Sequence, residues 1–291
     1  MDPDTDVVEV DYQPAGADKT GDVTEAPPEE QVVEVGVDPY SEDRLVPAGS
    51  NTPPQFIQDQ GEDNKKVETR LALLAQQSKD GGHFDYDRDW YNREGKRVRE
   101  AAHRKGVTED EMLEITALLS PRMKWDKRQG DDPEKRQYLN IAAAERAIDL
   151  HRLYPDMPPE QIIKQVDAFK GVGGLPGSYK KAIYHLRGED QDHGPKTWNF
   201  WHNLKDPEGT RDMVTIDTLM ASALAGRPLG SKDEKQLSQI NTVKKTNATP
   251  GGYGWAQRRI HAVAKQIGIT PQELQAVIWS EWRRQHPQKG D

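Results

Sequence analysis

Two charged side chains stand where chemistry is available. Lys196 lies in Gly194-Pro195-Lys196-Thr197-Trp198-Asn199-Phe200, and Asp217 lies in Val214-Thr215-Ile216-Asp217-Thr218. Glycine followed by proline opens a helix, and a helix start offers unpaired backbone N–H groups and the positive end of a dipole. With glycine allowing close approach, Gly194, Lys196 and Thr197 could grip a phosphate without reading sequence. An ordinary helix start carrying a surface lysine explains the same text, and no G-x-x-x-x-G-K-[ST] phosphate loop is present. Asp217 precedes a helix, where aspartate is a favoured N-cap. A carboxylate at that place is also able to activate water or to stabilise developing positive charge.

The elements that must position these two groups read as helices. Val67, Leu71, Leu73 and Leu74 begin an apolar face, and Trp90-Tyr91 opens an element running past Val98 to Ala101-Ala102. Thr108-Glu109-Asp110-Glu111 and Thr270-Pro271-Gln272-Glu273 have the text of capping boxes, and Ser120-Pro121 stops the helix that the first one starts. Asn140 to Leu150, a helix opened by Pro158-Pro159-Glu160 with Ile162, Ile163, Val166 and Phe169 on one face, and Tyr179 to Leu186 follow. A glycine-rich loop lies at 171–177. Thr218 to Ala225 is a small-residue helix ended by Gly226, residues 227–252 read as irregular, and Trp255 to Ile267 reads as an amphipathic helix with its basic residues outward. No strand pattern is found. The spacing predicts a mainly α body over 65–291, as one domain or two helical lobes.

Composition narrows the chemistry. The 291 residues contain no cysteine, which excludes disulfides, thiolate zinc sites, iron–sulfur clusters and a cysteine nucleophile, and fits a reducing cytoplasm. No apolar run reaches the roughly 20 residues that cross a bilayer, and the acidic start does not read as a targeting peptide. The eight histidines are scattered without an H-E-x-x-H motif, so neither a metal nor another cofactor is expected; His193 and His202 flank the candidate residues as proton carriers or as plain structural histidines. Residues 1–63 hold 17 acidic against two basic residues, a net −15, which leaves +6 for the rest of a chain whose total is −9. Residues 1–64 therefore read as a disordered acidic arm joined to a mildly basic body. Within the arm, Val7-Val8-Glu9-Val10 and Val32-Val33-Glu34-Val35 could add as strands to a protein partner. In the body, Lys180-Lys181, Lys196, Arg258-Arg259, Arg283-Arg284 and the cluster Arg122, Lys124, Lys127 and Arg128 are the basic groups that could form an exposed footprint for nucleic acid.

Leu118-Leu119-Ser120-Pro121-Arg122, Tyr179-Lys180-Lys181-Ala182-Ile183, Gly194-Pro195-Lys196-Thr197 and Val214-Thr215-Ile216-Asp217-Thr218 occur in that order. Over roughly 112–226 this order resembles the helix-hairpin-helix DNA glycosylase superfamily. From Trp90 to Arg284 it resembles a family of actinobacteriophage proteins related to that fold, through Trp90-Tyr91, Leu119-Ser120-Pro121 with Trp125, Gly194 to Asn203, Val214 to Asp217, and the helix Leu274 to Arg284. The resemblance implies a helix-hairpin-helix glycosylase-like domain that binds DNA in a bacterial host cell. It makes Asp217 the candidate catalytic carboxylate and puts Lys196 where some glycosylases carry a Schiff-base lysine. Gly194, Lys196, Thr197, Lys180, Lys181 and Arg122 become the candidate nucleic-acid contacts.

A base inside a duplex must be extruded to be reached, and Trp90, Tyr91 and Trp125, with Trp198 and Trp201, are the aromatic candidates to receive it. The preferred reading has Asp217 acting with water and Lys196 contacting phosphate. Alternatives are an enzyme of phage DNA base hypermodification on the same fold, a non-catalytic DNA-binding protein, and an interaction protein whose acidic arm covers the basic face.

Overall fold

The computed structural model describes residues 51–121, 123, 125–127, 137–165, 174–189, 191, 193–206, 208, 213–241 and 252–287. Among these the chain is mainly helical, with thirteen α-helices and one two-residue antiparallel ladder. The V-V-E-V segments and the helix face at Val166 and Phe169 lie outside the described residues, as do Arg122, Lys124 and Arg128.

A helix lies inside the stretch that composition assigns to the acidic arm. This is α1, spanning Gln55–Asp59, and its Phe56 and Ile57 are buried. Two adjacent apolar side chains suffice to dock a single turn, because each buried one is worth about 1.5–3 kcal/mol. Helix α2 (Asn64–Asp80) is capped by Asp63, whose carboxylate accepts the Lys66 amide at 2.8 Å. Its Val67, Leu71 and Leu74 share one face.

A first core joins α1 and α2 to the far end of the chain. It gathers Leu71, Val214, Ile216, Leu224, Trp255, Ile260, Val277 and Trp282. Its other helices are α10 (Thr218–Ala225), α11 (Glu234–Asn241), α12 (Gly252–Ile267) and α13 (Pro271–Gln285). Helix α10 has the expected span and ends at Gly226 in the left-handed region, at φ 66°. Helix α11 falls where the sequence reads as irregular: Leu237 and Ile240 are its inward face, one turn apart in an otherwise polar stretch.

A second core is built by contiguous middle elements, α4 (Trp90–Lys105), α5 (Glu109–Leu119), α6 (Leu139–Leu153), α7 (Pro159–Gln165), α8 (Pro176–Leu186) and α9 (Pro195–Lys205). Short helix α3 (Phe84–Arg88) leads into α4. Of the two capping boxes, Thr270–Glu273 is reciprocal, whereas Thr108 accepts the Glu111 amide with no return bond described. The ladder pairs Asp126 with Tyr138 and Lys127 with Gln137. With the Leu139 amide donating to the Trp125 carbonyl at 2.9 Å, it ties Trp125 to the start of α6. Gly95 lets α4 press on α9, since a Cβ there would sit 2.7 Å from the Leu204 carbonyl oxygen. Helix α13 serves both cores, giving Leu274, Val277 and Ile278 to the first and Ala276 to the second.

Candidate functional site

The segment 213–216 runs buried and delivers the half-buried Asp217 to the start of α10. Tyr253 of α12 clamps it: the phenol oxygen accepts from the Ile216 amide and from Asn199 Nδ2, and donates to the Val214 carbonyl, each at 3.0 Å. Asn199 also donates to the Val214 carbonyl at 3.0 Å. Asn203, with its amide oriented to satisfy its neighbours, donates to the Asn199 and Met213 carbonyls and accepts from the Thr215 hydroxyl at 3.2 Å. Gln272 of α13 donates to the Asn203 carbonyl at 3.1 Å. These bonds hold α9, the Asp217 segment and α13 in one register.

Asp217 has two roles at once. Its Oδ1 accepts the Met220 amide at 2.8 Å, which is an N-cap, and its Oδ2 accepts the Trp279 indole N–H at 3.0 Å. The same residue lines a pocket together with Lys196, so capping and facing a cleft are not alternatives here. Lys196 sits in the first turn of α9 as the Gly-Pro start predicts, and its side chain joins the pocket wall. Burial pulls its pKa below the ordinary lysine value, and the negative charge of Asp217 opposes that shift. Among the described residues no ion pair holds the ammonium.

Aromatic rings form the other walls. Trp90 lies 5.0 Å from Trp125 and 5.9 Å from Trp279, centroid to centroid, and Phe200 lies 5.8 Å from Trp125. Trp125 is oriented by Glu94, a buried carboxylate that accepts its indole N–H at 2.9 Å, with Arg97 Nε 3.5 Å from the same oxygen. Tyr91 donates to Gln275 Oε1 at 2.6 Å, and burial pushes its phenol well above the ordinary tyrosine range. The cavity between these walls has a volume of about 70 Å³. Ser120, at the end of α5, and Asn140, in the first turn of α6, add polar atoms to the wall.

Five expected residues therefore meet in one pocket: Asp217, Lys196, Trp90, Tyr91 and Trp125. The others stand apart. Gly194 is exposed at the N-cap of α9, and Thr197 is half-buried beside it. Trp198 and Trp201 meet edge to face, and their rings lie at a tilt against those of His193 and His202. His193 and His185 both approach Glu114 Oε1, at 2.7 and 3.2 Å.

The cationic footprint changes most. Lys180 pairs with Glu160 at 2.7 Å. Arg259, expected outside, is buried and paired with Glu68 at 2.6 Å, and Arg284 pairs with Asp87 and Glu281. Helical spacing places a residue on a face of its own helix, and apart from Glu281 these acidic partners come from a different part of the chain.

Pocket residues that the sequence reading passed over are Ser120, Asn140, Phe200, Gln275 and Trp279, with Glu94 behind them. Ser120, Gln275 and Trp279 lay inside segments already singled out, as helix stop or helix face. Asn140 and Glu94 carry no local signal, because their roles arise only from how α4, α5 and α6 meet. Among the described residues no group of three metal-binding side chains is found, and no helix is long and apolar enough to cross a membrane. No curated protein and no solved structure matches the chain. A family model does match it over residues 60–286, and the chain belongs to that family, a family of unknown function designated DUF7178.

Proposed function

We propose that the pocket receives an extruded nucleobase and that Asp217 assists hydrolysis of its N-glycosidic bond. The observation that carries this reading is the meeting of Asp217, Lys196 and the indoles of Trp90, Trp125 and Trp279, from positions spread over 190 residues of chain, around one cavity. Flat indole walls suit a flat heteroaromatic ligand.

In the reaction the bond from the sugar C1′ to the base nitrogen breaks, and its electron pair leaves with the base. A water oxygen bonds to C1′, one water proton is lost to a base, and the leaving nitrogen is protonated. The Asp217 carboxylate, fixed by Met220 and Trp279, offers negative charge to the cation-like sugar and orients the water. Lys196 faces the cavity rather than open solvent, so a phosphate contact by its ammonium would have to form at the pocket mouth. Its lowered pKa favours the neutral amine that a covalent imine route needs.

The test is base release from duplex oligonucleotides carrying a panel of natural and modified bases, read as strand scission after alkali. Asp217→Asn keeps the N-cap oxygen but turns an amide N–H towards the Trp279 indole, so its melting temperature is measured beside its activity to separate chemistry from folding. A loss of about 100-fold or more is expected for the responsive base. Borohydride trapping of a protein–DNA adduct, abolished in Lys196→Met, would assign the imine route. No scission with any base, together with unchanged DNA binding by Asp217→Asn, rejects the enzymatic reading.

A second reading has one specific observation behind it. Both oxygens of Asp217 already have protein partners, which suits a binding module that holds a base without cleaving it.

A further inference from the structure

Two polar atoms in this pocket lack a hydrogen-bond partner among the described residues: Ser120 Oγ and Asn140 Oδ1. Their residues are only 7 % and 2 % exposed. A buried hydroxyl or carboxamide oxygen without a partner costs folding free energy, and native proteins seldom keep one without a reason. Here both belong to a wall that otherwise consists largely of aromatic faces and already-bonded side chains. Trp279 donates to Asp217, Trp125 to Glu94 and Tyr91 to Gln275, so these groups are committed within the protein. Ser120 Oγ and Asn140 Oδ1 carry no such bond, and both atoms lie just beneath the pocket surface, so a ligand reaches them only as the wall adjusts around it.

We propose that Ser120 and Asn140 select the ligand of this pocket by hydrogen-bonding the edge of a flat heteroaromatic base that carries an N–H donor. The Asn140 oxygen accepts from that N–H, and the Ser120 hydroxyl donates or accepts as the neighbouring edge atom requires. A base without the N–H leaves the Asn140 oxygen buried and unpaired, and discrimination of this kind is steep because the penalty falls on the wrong ligand. The inference rests on the proposal that the pocket takes a nucleobase, and is independent of whether the glycosidic bond is cut. The same chemistry is offered by a free base and by one extruded from DNA.

The experiment is titration of the full-length protein, followed by tryptophan fluorescence, because Trp90, Trp125 and Trp279 line the pocket. Cytosine and adenine supply amino donors, and 1-methylbenzimidazole is a flat control with no N–H. At least one of the two bases should bind about tenfold or more tightly than the control. Asn140→Leu and Ser120→Ala should each reduce that preference to within about threefold, leaving the control's affinity unchanged. Each should also raise the melting temperature of the unliganded protein by about 2 °C or more, since each removes an unsatisfied buried atom. If Asn140→Leu fails to fold, Ser120→Ala decides the matter alone.

Equal affinity for bases and control, unaltered by either variant, overturns the selection and leaves the pocket a site for flat rings. No quenching by any compound, a cytosine oligonucleotide included, overturns the selection and the nucleobase reading together. Selective quenching by a protein that excises nothing defeats the proposed reaction and keeps this inference. Tighter binding of the oligonucleotide than of cytosine identifies nucleic acid as the source, the reverse identifies the free base, and both support the selection.

Discussion

The two cores are assembled in opposite ways. The first joins α1 and α2 to α10–α13, so its contacts close nearly the whole length of the body, whereas the second is built mainly from consecutive helices α4 to α9. The second can form from local contacts, and the first must close a long loop before burial rewards it. The pocket lies where they meet. Trp90 packs against the second core and Trp279 against the first, and their rings are 5.9 Å apart. A site in this place exists only when both cores are formed, which makes its geometry a readout of their docking.

Truncations in the two cores give the largest expected effects. Leu71→Ala in the first and Ile115→Ala in the second, both fully buried, should each cost about 2–5 kcal/mol in denaturant unfolding. Because α13 contributes to both cores, one shared transition should shift in either variant. Two separate transitions, only one of them moving, would break the picture of coupled cores.

Tyr253→Phe probes the clamp between them. It removes the acceptor of the buried Ile216 amide and of Asn199, for an expected loss of about 1–3 kcal/mol. The base binding proposed for the pocket should weaken as well, since Asp217 follows directly. A variant as stable as the parent and equally able to bind would show that the Asp217 segment is held by packing alone.

Lys196 gives a smaller effect with a definite sign. Unfolded, its amine keeps its proton up to about the ordinary 10.5, whereas burial makes the folded protein release it at lower pH. The unfolded state therefore binds more protons between those two values, and stability rises with pH across that window. Lys196→Met should melt higher than the parent at pH 7, with the margin shrinking as pH climbs towards 10.5. A margin independent of pH would assign the gain to packing.

Least of all is expected from Lys180→Ala at the α7–α8 edge, far from the shared helix α13 in the fold's connectivity. Its ion pair is open to solvent and screened, so the melting temperature should fall only slightly. The Glu160 carboxyl, held at about 2 chiefly by the Lys180 hydrogen bond, should rise towards its ordinary 4.5 in an NMR titration.

Helix starts and stops were the most readable part of the chain. Thr108, Thr270, Gly226 and the Gly194-Pro195 turn act at the positions their text indicates. The reading failed where an element is held by a distant partner. Phe56 and Ile57 look like stray apolar residues in an acidic stretch until the core receives them, and Leu237 with Ile240 makes too short a pattern to announce α11. Arg259 has the spacing of a surface cation and the burial of a core residue, because Glu68 of α2 waits opposite. At the site, Lys196, Asp217, Trp90, Tyr91 and Trp125 were readable from type and order, and Asn140 and Glu94 were not.

By itself the sequence determined that the body is helical, where several helices begin and end, that cysteine chemistry is absent, and which two charged groups stand beside helix starts. Those properties depend on neighbours a turn or two away, where periodicity and capping operate. Tertiary structure alone decided that Lys196 joins a pocket wall, that Asp217 caps a helix with one oxygen while holding Trp279 with the other, and that Ser120 and Asn140 are buried without partners. Desolvation and hydrogen-bond satisfaction are set by groups from remote parts of the chain, and no local pattern records them.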